Sequence, residues 1–320
     1  MPVKPANARQ PRKFVAEPFG YHEEIELRID DLTNMGVGVG RVDGWVVMVA
    51  FALPGELVRA RVFRNHRSYS EGDLVGIVER SPERVEPRCP LFGRCGGCQY
   101  QNLAYPAQLR WKRRQVADLL ERMAGVSDVE VDEVAGSPRE YGYRTKLTPH
   151  FDKPKGGPVR EIGFLVAGRR FDMVDVEHCP IASDGINAAL PEFRARLRRE
   201  AHGRRKGATL LLRDSLDGVT SDQRAVVTER VGELTLQFAA GTFFQNNPLL
   251  LPALVRHVAS EAAAGGARYL IDAYCGCGLF ALAASAGFEA VAGVELNPKS
   301  VAWARRNAAA NGVGNCEFLA

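Results

Sequence analysis

The sequence predicts a multidomain α/β protein built from a small N-terminal β-barrel, a central α+β domain and a C-terminal Rossmann-like half-sheet. Three observations carry that reading. Short β-rich runs broken by tight turns fill roughly residues 20–80, strands mixed with one basic helix fill 126 to about 240, and residues 241–320 alternate helices with apolar strands. Of the 320 residues 46% are hydrophobic and 25% charged, a globular balance that can bury a sizeable core. No apolar run approaches the roughly 18 residues a membrane helix needs, and the basic start MPVKPANARQPRKF lacks the apolar stretch of a secretory signal. The chain therefore reads as cytoplasmic. Its net charge of +4 is mild, so the location of the basic residues matters more than their sum.

Residues 1–18 carry Lys4, Arg9, Arg12 and Lys13 with no acid before Glu17, the pattern of a flexible basic arm. Residues 19–80, from HEEIELRIDDL through EGDLVGIVERS, hold about five strand-like runs with no helical period, which implies a closed barrel. Within residues 81–125 a cysteine-bearing loop leads into YPAQLRWKRRQVADLLERMAG, where Leu109, Val116, Leu119 and Leu120 recur at helical spacing and Gly125 ends the helix. Arg110, Lys112, Arg113 and Arg114 fall on or beside its exposed face. Residues 126–240 include the basic helix PEFRARLRREAHGRRKG, with seven Lys or Arg between Arg194 and Lys206 against the single acid Glu200. A charge run is often only a solvated face, but three basic clusters beside a small barrel point to a nucleic-acid surface.

The last eighty residues are the most regular. PLLLPALVRHVASEAAAG reads as a helix, RYLIDAY as a buried strand, CGCG as a tight turn, LFALAASAG as a helix and EAVAGVEL as a second strand. A further helix, NPKSVAWARRNAAANG, is capped by Asn297, carries Pro298 in its first turn and ends at Asn311-Gly312. CEFLA starts a third strand, and three strands make only half of a doubly wound sheet, so this domain reads as incomplete.

Seven cysteines is an odd number, and in a reducing compartment clustered thiols read first as metal ligands. RCPLFGRCGGCQY places Cys89, Cys95 and Cys98 within eleven positions, which makes them candidate ligands. Cys275, Cys277 and Cys316 are scattered and read as small core residues, and Cys179 is open between the two roles.

In IDAYCGCGLF a strand delivers Asp272, Gly276 and Gly278 follow, and a helix opens at once. Such a turn lets a ligand approach the backbone in front of a helix N-terminus. Ala281 stands where a dinucleotide fingerprint wants a third glycine, and no Gly-Lys-Ser or Gly-Lys-Thr phosphate loop is present. Glu295 ends the second strand seventeen residues after Gly278, placed to accept from both hydroxyls of a ribose. A nucleoside cofactor without a pyrophosphate fits best, which points to S-adenosyl-L-methionine; a tight strand-to-helix turn with no ligand is the plainer reading.

Beyond these local patterns the whole sequence resembles the RNA (uracil-5-)-methyltransferases that carry an N-terminal TRAM barrel. The resemblance rests on RVEPRCPLFGRCGGCQYQ, on a Y-x-YR-x-K element at Tyr141–Lys146, and on GTFFQNNP and DAYCGCGLF. It implies a TRAM or OB-like barrel, a central RNA-binding domain and a class I Rossmann-like methyltransferase domain. It also implies that Cys89, Cys95, Cys98 and Cys179, the last in VEHCPIAS, hold a [4Fe-4S] cluster. Four thiolates suit such a cluster, and tetrahedral zinc accepts the same set. By matching position Gln245, Tyr274 and Glu295 contact S-adenosyl-L-methionine, Gly276 and Gly278 shape its pocket, and Leu279 and Asn246 are weaker candidates. Arg144 and Lys146 meet the RNA. The implied partner is RNA, 23S rRNA ahead of tRNA, rather than DNA or a membrane.

The family's chemistry adds a cysteine thiolate to uracil carbon 6, transfers the methyl to carbon 5 and removes the carbon 5 proton with a base. Both groups are expected beyond Ala320, so these 320 residues are expected to be an inactive fragment of a longer enzyme. Two alternatives belong to other classes: a non-catalytic RNA-binding iron-sulfur protein, and a nicotinamide-dependent iron-sulfur oxidoreductase, which the missing third glycine disfavours.

Overall fold

The computed structural model describes residues 10–152, 158–169, 171–201 and 206–320. Lys4 and Arg9 of the basic arm, and Arg204 and Arg205 of the basic helix, lie outside them. The chain forms two compact units, residues 1–136 with 164–174, and residues 137–163 with 175–320.

In the first unit five strands, β1 (Glu24–Leu32), β2 (Val37–Val42), β3 (Trp45–Ala50), β4 (Leu57–Asn65) and β5 (Tyr69–Glu79), close into a barrel of order β1-β2-β3-β5-β4. Alternation sets the faces: Ile25, Leu27 and Ile29 point inward from β1 while Glu24, Glu26 and Arg28 stay outside. They meet Val47, Val49, Val58, Ala60 and Val62 in the barrel core. The described part of the arm is not free, because Asn65 Nδ2 donates to the carbonyls of Val15 (2.8 Å) and Phe19 (2.7 Å). A buried amide on β4 thus ties down a segment whose composition reads as a tail.

Helix α1 (Tyr105–Leu119) runs on into one π-turn (Leu120–Ala124) and ends at Gly125, which takes the left-handed conformation (φ 66°) that suits a helix C-terminus. Its buried residues are Ala107 and Gln115, whereas Val116 and Leu119 of the expected apolar stripe are 46% and 42% exposed. The face is set by a polar anchor: Gln115 Nε2 donates to the carbonyls of Leu32 (3.1 Å) and Thr33 (2.9 Å). Replacing Gln115 with leucine leaves those carbonyls without their donor, and the expected cost is about 1–2 kcal/mol in urea unfolding. Three of the four basic residues of α1 are engaged as well, Arg110 with Glu83, Arg113 with Glu130 (3.2 Å) and Arg114 with Asp31 (4.0 Å).

Further along the chain β6 (Lys146–Leu147), β7 (His150–Phe151), β8 (Ile162–Leu165) and β9 (Met173–Asp175) precede helix α2 (Asp184–Glu200). Next come β10 (Ala208–Thr209), β11 (Leu212–Ser215), β12 (Gly218–Thr220), β13 (Val226–Val231) and β14 (Leu234–Ala239). They make sheets of order β10-β7-β8-β9 and β12-β11-β6 and a β13-β14 hairpin. Helix α2 begins seven residues before Pro191, capped by Ser183 Oγ accepting from Ile186 N at 3.2 Å. Arg194 is a correction to the expected basic surface: 3% exposed, it donates to the carbonyls of Ile162 and Val176 (2.8 Å each) and to Asp175 (2.6 Å). A guanidinium with those partners is a core strut.

Helix α3 (Leu251–Ala264), β15 (Tyr269–Ala273), α4 (Leu279–Ala284), β16 (Ala290–Val294), α5 (Pro298–Ala310) and β17 (Cys316–Leu319) complete the chain. The three strands pair in parallel in the order β15-β16-β17. Asn297 caps α5 by accepting from Lys299 N at 3.0 Å, as expected. The core does not divide at residue 240. Val227, Leu236 and Phe238 of the hairpin pack in one cluster with Leu279, Val291 and Phe318, and Asn307 bonds both Gln237 and the Cys277 carbonyl. Among the described residues no helix is long and apolar enough to cross a membrane.

Candidate cofactor site

The turn after β15 is built by local rules. Tyr274 (φ 66°), Gly276 (φ 56°) and Gly278 (φ 93°) all take positive φ, which two of them adopt without cost as glycines. Cys275 N donates to the Val294 carbonyl (3.0 Å) and Gly278 N to the Cys275 carbonyl (2.8 Å), so the chain reverses tightly into α4. Asp272 closes the reversal, its Oδ2 accepting from Ala281 N at 2.9 Å, and burial raises its carboxyl above the usual range. A Cβ at Gly276 would meet nothing within 4 Å, so the turn faces open space. A Cβ at Gly278 would come within 3.3 Å of Ala304 and Phe318, so that glycine also lets α5 and β17 approach.

Glu295 lies across this turn from the end of β16. Its Oε2 accepts from Gly276 N (3.2 Å) and its Oε1 from Asn297 N (2.8 Å), which fixes both oxygens and leaves each a further lone pair. Tyr274 is 90% exposed at the rim. Leu279 departs from expectation: at 6% exposure its side chain belongs to the hydrophobic core.

The segment Gly241–Pro248 is tied to the Tyr141–Lys146 element, a hundred residues earlier. Thr145 N donates to the Asn246 carbonyl at 3.0 Å, and Lys146 Nζ reaches the carbonyls of Gly241 (3.4 Å) and Thr242 (3.2 Å). Asn247 Oδ1 accepts from Leu249 N (3.1 Å) and its Nδ2 donates to Ser137 Oγ (3.0 Å). Gln245 sits half-buried between these anchors. The neighbouring Asn246 Oδ1 is buried without a hydrogen-bond partner, an acceptor that wants a donor. An aminoacyl nucleoside brings such a donor in its ammonium group, and open space, ribose acceptor and orphaned acceptor together fit S-adenosyl-L-methionine.

The RNA-contact candidates are less open than their charge implies. Arg144 Nε donates to the Lys146 carbonyl at 2.9 Å. Burial, with Arg213 and Arg144 nearby, lowers the Lys146 ammonium below its ordinary range. Sequence reasoning missed Arg213, which is fully buried on β11 with Nη2 on the Thr242 carbonyl (2.8 Å) and Nε on the Ala240 carbonyl (3.2 Å). It also missed Glu229 on β13, whose carboxyl burial pushes up to about 7. Neither carried a local signal, since Arg213 is followed by Asp214 and Ser215 on β11 and Glu229 lies between Thr228 and Arg230 on β13.

Of the cluster candidates, Cys89, Cys95 and Cys98 lie in the first unit and Cys179 in the second. The thiol loop is closed by Gly96 N on the Leu165 carbonyl (2.9 Å) and Ala167 N on the Arg94 carbonyl (2.7 Å). Burial raises the Cys95 thiol, and the neighbouring Cys98 and Cys89 add to that shift. Among the described residues no group of three or more His, Cys, Asp or Glu has the geometry to hold a metal ion. The donors have the right chemistry for an iron-sulfur cluster, and their arrangement is not that of a closed metal site.

Burial pushes the thiols of Cys275 and Cys277 up to about 12. In iodoacetamide treatment of the folded protein at pH 7.5, both are expected to stay unmodified in peptide mapping, since the thiolate is the reacting species. Rapid alkylation of either would contradict that burial.

Comparison with known proteins follows the same division. The TRAM domain family matches residues 22–75, and the family described as tRNA (Uracil-5-)-methyltransferase matches residues 203–320. An uncharacterized RNA methyltransferase of Gloeobacter violaceus is 31% identical over 93% of this chain and 78% of its own length. The chain belongs to the TRAM-containing RNA (uracil-5-)-methyltransferase family. Another relative in the family, a Schizosaccharomyces pombe tRNA (uracil(54)-C(5))-methyltransferase, is 39% identical over 94% of this chain, which spans 61% of that protein. The fold matches the Pyrococcus abyssi tRNA (uracil-54, C5)-methyltransferase solved with S-adenosyl-L-homocysteine. That match has a TM-score of 0.68 and 23% identity, over 92% of this chain and 79% of the other.

Proposed function

We propose that this chain is the cofactor- and RNA-binding part of an enzyme that methylates carbon 5 of uridine in RNA with S-adenosyl-L-methionine. The observation that carries the proposal is the Glu295 carboxylate held across the Gly276 turn, facing open space. Glu295 takes the ribose hydroxyls, Tyr274 and Gln245 line the cofactor, Gly276 and Gly278 admit it, and Asn246 offers an acceptor. S-adenosyl-L-methionine supplies an electrophilic methyl on a sulfonium. Fixed hydrogen bonds at the turn and at Asn246 and Asn247 hold the surrounding segments still.

Carbon 5 of uracil needs activation by a thiolate and relief by a base. Cys275 and Cys277 are kept protonated by burial, and the Cys316 thiol is raised by burial too, so none of these three is assigned that role. The substrate proposed here is cytoplasmic tRNA. The expectation of rRNA ahead of tRNA is reversed because the yeast relative and the fold neighbour are both named as tRNA uracil-54 enzymes. The reacting base must leave its stack to meet both groups, so Arg144 is proposed to hold the RNA backbone near the site. Cys89, Cys95 and Cys98 are proposed as cluster ligands, with Cys179 as the fourth that the family resemblance implies. The cluster would order the thiol loop.

The test is methylation by the whole protein of unmodified tRNA and of 23S rRNA, with nucleoside mass spectrometry. 5-Methyluridine in tRNA alone supports the proposal; its absence from both RNAs refutes it. Anaerobic reconstitution with iron and sulfide tests the ligands: four irons per chain, lost in Cys95→Ser, is the expected result, and zinc in their place would overturn it.

A further inference from the structure

The backbone before Gln245 is gripped by two cations from distant strands. Arg213, on β11, donates to the carbonyls of Ala240 and Thr242, and Lys146, on β6, reaches those of Gly241 and Thr242. Three consecutive carbonyls thus face two positive charges, beyond the amide bonds that the same residues make to Ala225, Gln223 and Ala239. Arg213 is completely buried and its Nη1 has no hydrogen-bond partner, so the cost of desolvating it is offset by the two carbonyls and by the nearby Glu229 charge. Its guanidinium also lies over the Phe238 ring (5.3 Å), and Phe238 stacks on Phe244 (4.4 Å) inside the cofactor segment. The second anchor, Thr145 N on the Asn246 carbonyl, closes the other end. Phe243, Phe244 and Gln245 are therefore suspended between two fixed points.

We propose that Arg213 and Lys146 are positioning residues for the cofactor: by clamping carbonyls 240–242 they set the place of Gln245 and of the Asn246 acceptor. This rests on the reading of that segment as part of the S-adenosyl-L-methionine site. It also gives Lys146 a task other than meeting RNA phosphates. Lysine at position 213 keeps the charge but lacks the forked donors that span two carbonyls.

The test compares Arg213→Lys and Lys146→Met with Leu190→Ala, which opens a cavity at a 1% exposed site on α2 and removes none of the hydrogen bonds to carbonyls 240–242. Two quantities are read on the full chain: hydrogen–deuterium exchange at the amides of Thr145 and Ala240–Thr242, and affinity for S-adenosyl-L-homocysteine by calorimetry. Arg213→Lys is expected to speed exchange at those amides and weaken the ligand about tenfold, the loss of one charge-assisted hydrogen bond's worth of order. Leu190→Ala is expected to lower the melting temperature with affinity unchanged. Equal affinity in wild type and Arg213→Lys overturns the clamp alone. No binding by the wild type overturns the cofactor reading and the clamp together. RNA binding weakened by Lys146→Met, with exchange and ligand affinity unchanged, would make Lys146 a phosphate contact and remove it from the clamp.

Discussion

Replacing Glu295 with alanine is expected to weaken S-adenosyl-L-homocysteine binding about a hundredfold, the combined loss of two charge-assisted hydrogen bonds to ribose. The carboxylate has a second task that adds to the effect. Both its oxygens already accept backbone N–H groups, Gly276 at 3.2 Å and Asn297 at 2.8 Å, so its removal loosens the cofactor turn and the start of α5 together. Glutamine keeps one acceptor oxygen and is expected to fall between, at about tenfold weaker binding. Calorimetry on the three proteins decides it. An alanine variant that binds within threefold of wild type would remove Glu295 from the site.

The largest expected loss of stability comes from Arg84→Met. Glu56 is completely buried at the barrel end, with Oε1 and Oε2 2.5 and 2.8 Å from Nε and Nη2 of Arg84, and it also accepts from Leu53 N at 2.9 Å. Arg84 Nη2 reaches the Phe51 carbonyl as well, at 2.7 Å. Methionine fills the space but strands an uncompensated buried carboxylate, for a cost of about 3–5 kcal/mol. Because Arg84 bridges to Leu103 across the thiol loop, the same change is expected to loosen the backbone carrying Cys89, Cys95 and Cys98. Urea unfolding followed in the first unit measures the loss. Adding Glu56→Leu to Arg84→Met should recover part of it, since the stranded charge is then gone. A single-variant loss below about 1 kcal/mol would show that Glu56 finds other partners.

Features decided by neighbours in sequence were legible. The closed barrel follows from two-residue alternation and turn residues, the end of α1 from Gly125, the cap of α5 from Asn297, and the cofactor turn from a strand, two glycines and a helix in immediate succession. Contacts supplied from far along the chain were not. Arg194 looks like a surface charge and Arg213 carries no signal until the carbonyls that receive them are in place, since burial of a guanidinium depends on acceptors from other segments. Helix α1 buries a different face from the one its apolar spacing predicts, because Gln115 satisfies two carbonyls while Val116 and Leu119 stay exposed. Pro191 looked like a helix start, yet Ser183 caps α2 earlier and the proline sits inside.

The site shows the same split. Glu295 and the turn glycines were visible because the spacing between two consecutive strands places them. The grip of Tyr141–Lys146 and Arg213 on Gly241–Pro248 joins segments about a hundred and about thirty residues apart, which no local pattern encodes.

The most direct test of the central claim is a crystal structure of this protein with S-adenosyl-L-homocysteine. The account predicts ribose hydroxyls at hydrogen-bond distance, about 2.7 Å, from both oxygens of Glu295, with Tyr274 and Gln245 against the ligand. A ligand seated elsewhere, or Glu295 turned away from it, would contradict the account.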